Sequence, residues 1–167
     1  MTPVQVRPAR IGDVRAIKSL IDHYAGKVVL AKELVTLYED IQEFWVAETD
    51  GAIVGCGALH VLWEDLAEIR TVAVDPLSHR LGIGHALVRH LIAAAEELGL
   101  ARIFVLTFET EFFGGHGFVP ILDTPVSPEV YAEIRRSPDE GVAQFLDLVH
   151  VKPNTLGNTR MLLHLGA

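Results

Sequence analysis

His79-Arg80-Leu81-Gly82-Ile83-Gly84 places two glycines beside basic side chains at the point where an apolar-periodic segment begins. Glycines there let backbone N–H groups approach a ligand unscreened by side chains, and a helix starting behind them adds its dipole. That combination is an anion cradle, suited best to a phosphate. Ahead of it, Leu66 to Val74 is a β-branched, alternating run that carries Glu68 and Arg70 two residues apart. Alternation puts Glu68, Arg70, Val72 and Val74 on one face and Ala67, Ile69, Thr71 and Ala73 on the other. A carboxylate and a guanidinium roughly 7 Å apart on one strand face are placed either to hold the two ends of a small zwitterion or to neutralise each other.

These residues need a rigid frame. Asp75-Pro76 ends the strand; Ile83, Ala86, Leu87, Leu91, Ala94 and Leu98 then recur at helical spacing, with Gly99 at the position of a C-terminal cap. Arg102 to Phe108 is a nearly continuous apolar strand, as expected for one covered on both faces. Strand, helix, strand makes a βαβ unit, so these two strands should be parallel. Upstream, Val4 to Arg7 alternates as a first strand, and Asp13 should cap a helix with Val14, Ile17, Leu20, Ile21 and Tyr24 as its apolar stripe, closed by Gly26. After a basic connection from Lys27 to Lys32, Leu34, Leu37, Tyr38 and Ile41 mark a second amphipathic segment. Phe44 to Thr49 and Ala52 to Leu62 read as strands joined by an Asp50-Gly51 hairpin turn. Downstream, Glu109 to His116 reads as one or two helical turns ended by Gly117, and Phe118-Val119 as extended. Ser127-Pro128 starts a helix to about Arg136. Val142 to Val151 and Met161 to Leu165 read as two last strands around a polar loop, Lys152 to Arg160.

The chain has 167 residues, half of them hydrophobic. That suffices for one domain, 1–167, burying roughly 70% of its unfolded surface. Net charge is −8 and Lys and Arg form no stripe, which does not make a nucleic-acid surface; an anionic ligand must be held by local groups against the overall field. A single cysteine, Cys56, excludes an internal disulfide and a multi-cysteine metal site, and fits a reducing, cytoplasmic setting. Arg7 and Arg10 interrupt the N-terminus before any signal-like apolar stretch, and no apolar run is long enough to span a bilayer. Of the eight histidines, His79, His85 and His90 do not share a helical face and no HExxH occurs, so no metal site is read from them.

Three stretches together resemble the Gcn5-related N-acetyltransferase superfamily over essentially the whole chain. Ala67-Glu68-Ile69 through Val72-Ala73-Val74 is similar to its central strand, His79 to Gly84 to its pyrophosphate loop, and Phe112-Phe113-Gly114-Gly115-His116-Gly117-Phe118 to its late aromatic segment. Within the superfamily, Gly26 to Glu48, Glu68 to Pro76, Phe104 to Phe118 and Val151 to Leu163 resemble the short glutamate N-acetyltransferases of arginine biosynthesis. The sequence reads as the transferase alone, so the arginine sensing of longer relatives with an amino-acid-kinase domain is not implied. The resemblance implies an α/β (α+β) architecture: a central mixed, mostly antiparallel sheet with a parallel, splayed pair of strands at about 66–74 and 102–108, and helices on both faces. Two departures stand out. His79 replaces the Arg or Gln that usually opens the loop, and Phe113 replaces a tyrosine held to protonate the leaving thiolate, which a phenyl ring cannot do.

The resemblance further implies acetyl-CoA as acyl donor, no metal, and L-glutamate as acceptor. Its diphosphate is expected on the N–H groups of Arg80, Leu81, Gly82, Ile83 and Gly84, with His79 and His85 flanking them as cofactor-binding residues, its pantetheine arm along Val72, Ala73 and Val74, and Phe113 as a core or cofactor-packing group. Glu68 is expected to deprotonate the amine, directly or through a water, because the superfamily's base lies on this strand. Arg70 then faces a substrate carboxylate, and Lys32, Asn158 and Arg160 complete the acceptor pocket, the arginines ranking first because they bind carboxylate bidentately. His116 is a candidate proton donor in place of Phe113, or a mere turn residue. Two other readings stay open: a transferase acting on a protein N-terminus or lysine, and a non-catalytic acyl-CoA sensor. The oligomeric state is likewise open, a homodimer included.

Overall fold

The Asp50-Gly51 turn forms as its sequence requires, with φ of 51° and 76°, the left-handed pair that matches the twist of a two-residue hairpin. The computed structural model describes residues 3–25, 32–79, 81–139, 142 and 158–166. In chain order its elements are β1 (Gln5–Pro8), α1 (Val14–Tyr24), α2 (Leu34–Glu39), β2 (Phe44–Thr49), β3 (Ala52–Trp63), β4 (Leu66–Val74), α3 (Ile83–Leu98), β5 (Arg102–Thr107), α4 (Thr110–Gly114), β6 (Val119–Pro120), α5 (Pro128–Ile134) and β7 (Thr159–His164). Short 3-10 turns precede α1, β2 and the start of the α3 loop. The seven strands form one mixed sheet in the order β1-β2-β3-β4-β5-β7-β6. β4 and β5 are parallel, in the register Leu66↔Arg102, Ala67↔Ile103 and Glu68↔Phe104, where the ladder ends; β5–β7 and β6–β7 are antiparallel, as are β1–β2 and β2–β3.

Packing divides the chain into two compact units, Met1–His60 with Ile69–Glu97, and Val61–Glu68 with Leu98–Ala167. In the first, Val14, Ile17, Leu20 and Ile21 of α1 and Leu37 of α2 bury against Phe44, Val46, Cys56, Ala58 and Ala73. The opposite sheet face carries Ala47 and Val54, covered by Ile83 and Leu87 of α3. Adjacent residues such as Val46 and Ala47 thus face different helices, the period of two that one sheet between two helical layers imposes. Gly55 and Gly57 let α3 approach: a Cβ at Gly55 would lie 2.9 Å from Ile83 Cγ2 and 3.0 Å from Leu87 Cδ1, and one at Gly57 3.0 Å from Leu91 Cδ1. In the second unit, Leu62, Leu66, Phe104 and Leu162 pack with Ile134 of α5 and Val142. Arg102 fastens this unit's strand start, donating to Asp65 at 3.0 Å and to the Pro125 carbonyl.

Five sequence expectations change. Asp13 does not cap α1 with its side chain; a 3-10 turn shifts the cap to Arg10, and the Asp13 carboxylate reaches back to accept the Arg10 N–H at 2.7 Å and the Arg7 guanidinium at 2.8 Å. Tyr38 is exposed and Ile41 lies on a 3-10 turn, because α2 ends at Glu39 and the stripe is not one helix face. Leu98 is exposed while Val88 and Ala95 are buried, since periodicity identifies a face and not how far along the helix that face is covered. β5 ends at Thr107, leaving Phe108 partly exposed. Val142 has helical rather than extended backbone. The rest of the expected strand to Val151, Gly26, Lys27 and most of the polar loop lie outside the described residues. No helix among the described residues is long and apolar enough to cross a membrane.

Candidate active site

β4 delivers the chain to the glycine loop, and the packing of the first unit holds both ends of that loop. Val74 shares an apolar cluster with Ile83 and Leu87, so the end of the strand and the start of the helix are anchored together. Ile83 is buried; Leu81, Gly82 and His85 are exposed, and Gly84 is half-buried. Gly82 has φ +75° and nothing stands within 4 Å of the place its Cβ would take, so only glycine adopts this backbone without strain and its surface stays open. The Gly82 carbonyl accepts the Ala86 N–H at 3.0 Å. The N–H groups of Ile83, Gly84 and His85 therefore precede the first donor used within α3 and project from its N-terminal end. A diphosphate fits this cradle by backbone access and by dipole. Arg80 lies outside the described residues. His79 is exposed, its Nε2 3.0 Å from the Tyr24 hydroxyl, which also donates to the Val74 carbonyl at 2.6 Å.

Upstream, Thr71 takes φ +59°, a left-handed conformation that β-branched residues avoid. Inside a strand this is the backbone signature of a bulge, and it interrupts the period of two. Unbroken alternation therefore does not put Glu68 on the face of Val72 and Val74; the phase is set separately on each side of Thr71. Cys56, flanked by the two glycines, is fully buried and donates its thiol to the Thr71 carbonyl at 3.5 Å. Val72 and Val74 are half-buried and Ala73 is buried among α1 side chains.

Glu68 is buried at the last pair of the parallel ladder, opposite Phe104, with Oε1 closed off from solvent. Arg70 follows on β4, half-buried, its Nε and Nη2 likewise shielded. Asn158 is buried just before β7, and its Oδ1 has no hydrogen-bond partner among the described residues. Arg160 pairs with Leu106 across the β5–β7 ladder. It is buried, and its guanidinium donates to the Leu122 carbonyl and, at 3.3 Å, to that of Asp123. Burial lowers the Arg160 pKa, while the Asp123 charge raises it. Part of its fork is thus spent on backbone, a use its position in a polar loop did not reveal. Lys32 is half-buried at the edge of the described residues. Phe113 is buried in an edge-to-face pair with Phe112 and another with Phe118, centroids 5.0 and 5.3 Å apart, and His116 meets Phe112 edge-on. Among the described residues no group of three or more His, Cys, Asp or Glu side chains is placed to hold a metal ion.

Sequence reasoning passed over Tyr24, which it counted with the apolar stripe of α1. The available signal was chemical: a hydroxyl-bearing ring at the end of a stripe otherwise made of aliphatic residues. Thr71 offered none, because its type argues against the conformation it holds.

A strand ending in a glycine loop and helix, with a short parallel ladder beside it, defines an acyl-CoA-dependent transferase of the acetyltransferase (GNAT) family, and the chain belongs to that family; its model matches residues 16–118. An amino-acid acetyltransferase of Mycobacterium tuberculosis is 65% identical over 161 residues, covering 95% of this chain and 92% of that protein. An amino-acid acetyltransferase of Neisseria meningitidis is 36% identical over 118 residues, 69% of this chain but 27% of that longer protein. Among solved structures, that of Rv2747 from Mycobacterium tuberculosis in complex with CoA and NLQ superposes with a TM-score of 0.92 at 64% identity, covering 97% of this chain and 99% of that one. The N-acetylglutamate synthase of Neisseria gonorrhoeae, complexed with coenzyme A and N-acetyl-glutamate, gives 0.76 at 27% identity, covering all of this chain and 36% of that one. The chain is an acetyltransferase that uses acetyl-CoA.

Proposed function

We propose that residues 1–167 act as one N-acetyltransferase domain that acetylates the α-amino group of L-glutamate, the first step of arginine biosynthesis. The observation that carries this reading is a carboxylate buried on the central strand, Glu68, in a chain similar along almost its whole length to an amino-acid acetyltransferase. Glu68 accepts a proton from the substrate ammonium, directly or through a water, and the neutral amine attacks the thioester carbonyl. A carboxylate shielded from water is a stronger base than an exposed one. A backbone N–H near Val72 to Val74 stabilises the oxyanion. The thiolate then leaves and is protonated through water or His116, since Phe113 has no proton to give, while the attacking nitrogen releases its second proton to water, which leaves the neutral amide and the free thiol. Arg70, with Lys32, Asn158 and the unspent donors of Arg160, recognises the substrate carboxylates.

CoA release from acetyl-CoA, measured against a panel of free amino acids and one basic peptide, tests this. Glutamate should be turned over selectively. Glu68→Gln should lower kcat about 10²- to 10⁴-fold while acetyl-CoA affinity stays within about threefold. Turnover with the peptide alone, or an unchanged kcat in Glu68→Gln, overturns the acceptor or the base respectively.

A further inference from the structure

We propose that Tyr24 is a positioning residue for the acyl-donor loop: its hydroxyl latches the end of β4 to His79 and holds that histidine's ring in the Nε2–H tautomer. Tyr24 is the last residue of α1, fifty positions from Val74 and fifty-five from His79 in sequence. A hydroxyl carries one proton, and a carbonyl only accepts. At 2.6 Å from the Val74 oxygen, the Tyr24 proton is committed to that carbonyl. The remaining Oη lone pair faces His79 Nε2 at 3.0 Å, so that nitrogen must be the donor and carry hydrogen. Burial, reinforced by the charge of Asp75, pushes the Tyr24 phenol pKa up, which keeps the proton this arrangement needs.

The latch closes a stretch already fastened elsewhere. The Asp75 N–H donates to the Val54 carbonyl at 2.8 Å, and the Asp75 carboxylate and carbonyl accept the N–H groups of Leu77 and Ser78 at 3.0 and 2.8 Å. Residues 75–78 are thus tied to β3 and to themselves, Ile83 is buried between Gly82 and Gly84, and Tyr24 fixes the segment where the cradle begins. An imidazole that donates inward through Nε2 does not offer that proton to a phosphate. The histidine in place of an outward-reaching donor therefore trades a side-chain contact with the anion for a backbone held ready to receive it, the entropic advantage of preorganisation.

The test uses the full chain and CoA itself, so it is independent of which amine is acetylated. Tyr24→Phe keeps the ring and removes the latch; calorimetric titration should show CoA binding about tenfold weaker, and KM for acetyl-CoA should rise with kcat and acceptor KM unmoved. His79→Ala should weaken CoA binding to a similar degree, the double variant should be no worse than either single one, and His79→Gln, which keeps an amide donor, should bind nearly as well as the wild type. Long-range proton–nitrogen NMR, with His79→Ala assigning the signal, should show hydrogen on Nε2 in the wild type and a tautomer mixture in Tyr24→Phe. CoA affinity within twofold of wild type in Tyr24→Phe, even with a lower melting temperature, would mean a merely structural tyrosine and overturn the proposal. Multiplying effects in the double variant, or hydrogen on Nδ1 of the neutral ring in the wild type, would overturn it as well.

Discussion

Burial pushes the Cys56 thiol pKa up to about 12, so at neutral pH the sulfur is protonated and a poor nucleophile. Native protein should resist a chromogenic disulfide reagent over hours and release one equivalent only after denaturation; rapid native reaction would contradict the packing around it. Asp13 shows the opposite shift. Hydrogen bonding from Arg7 comes first among the causes that hold its carboxyl below the ordinary 3.8, and the same contact raises the Arg7 guanidinium. A depressed folded pKa contributes stability above the unfolded value and loses it as pH falls through the folded one. Melting temperature should therefore drop more steeply below about pH 4 in the wild type than in Asp13→Asn, which is less stable at neutral pH. At this scale the sequence displayed residue types and concealed their partners. Asp13 was legible as an N-terminal acid of a helix, but not its reach back to Arg7, and Tyr24 was legible as apolar surface, but not as a donor.

Elements were read more completely, because hairpin turns, caps and hydrophobic periods are local. The Asp50-Gly51 turn, the Ser127 cap, whose Oγ accepts the Val130 N–H, and both ends of α3 fall where their residues place them. Gly55-Cys56-Gly57 was less plain: small residues in a strand signal close approach without naming what approaches. Here it is α3, the helix that presents the anion cradle. Gly55→Ala would press a methyl onto Ile83 and Leu87, and overpacking of this kind costs about 1–3 kcal/mol. A lower denaturation midpoint is expected together with weaker CoA binding, since Ile83 opens α3. If stability falls with CoA affinity unchanged, the cradle does not depend on how α3 seats. Leu98 and Tyr38 mark the limit of periodic reasoning, which supplies a direction around the helix axis and no information on where its neighbour stops.

At the level of the whole molecule, a chain of net charge −8 meets a polyanionic acyl donor. Screening the repulsion by raising salt from about 20 to about 200 mM should speed acetyl-CoA association by about threefold in stopped-flow measurements; a slower association would show that local cations outweigh the overall field. The strand–loop–helix order, the parallel pairing of β4 and β5 and the family itself were readable from residues 66–118, because each depends on contacts among near neighbours and on chain connectivity. The tautomer of His79, the left-handed Thr71 and the engagement of Arg160 with the Leu122 and Asp123 carbonyls were not. The first and last depend on groups brought from distant parts of the chain, a hydroxyl from α1 and a backbone turn after β6; Thr71 holds a conformation its own residue type disfavours, and its carbonyl accepts the Cys56 thiol of β3. No window of sequence contains both partners, so these features exist only once the sheet has assembled around them.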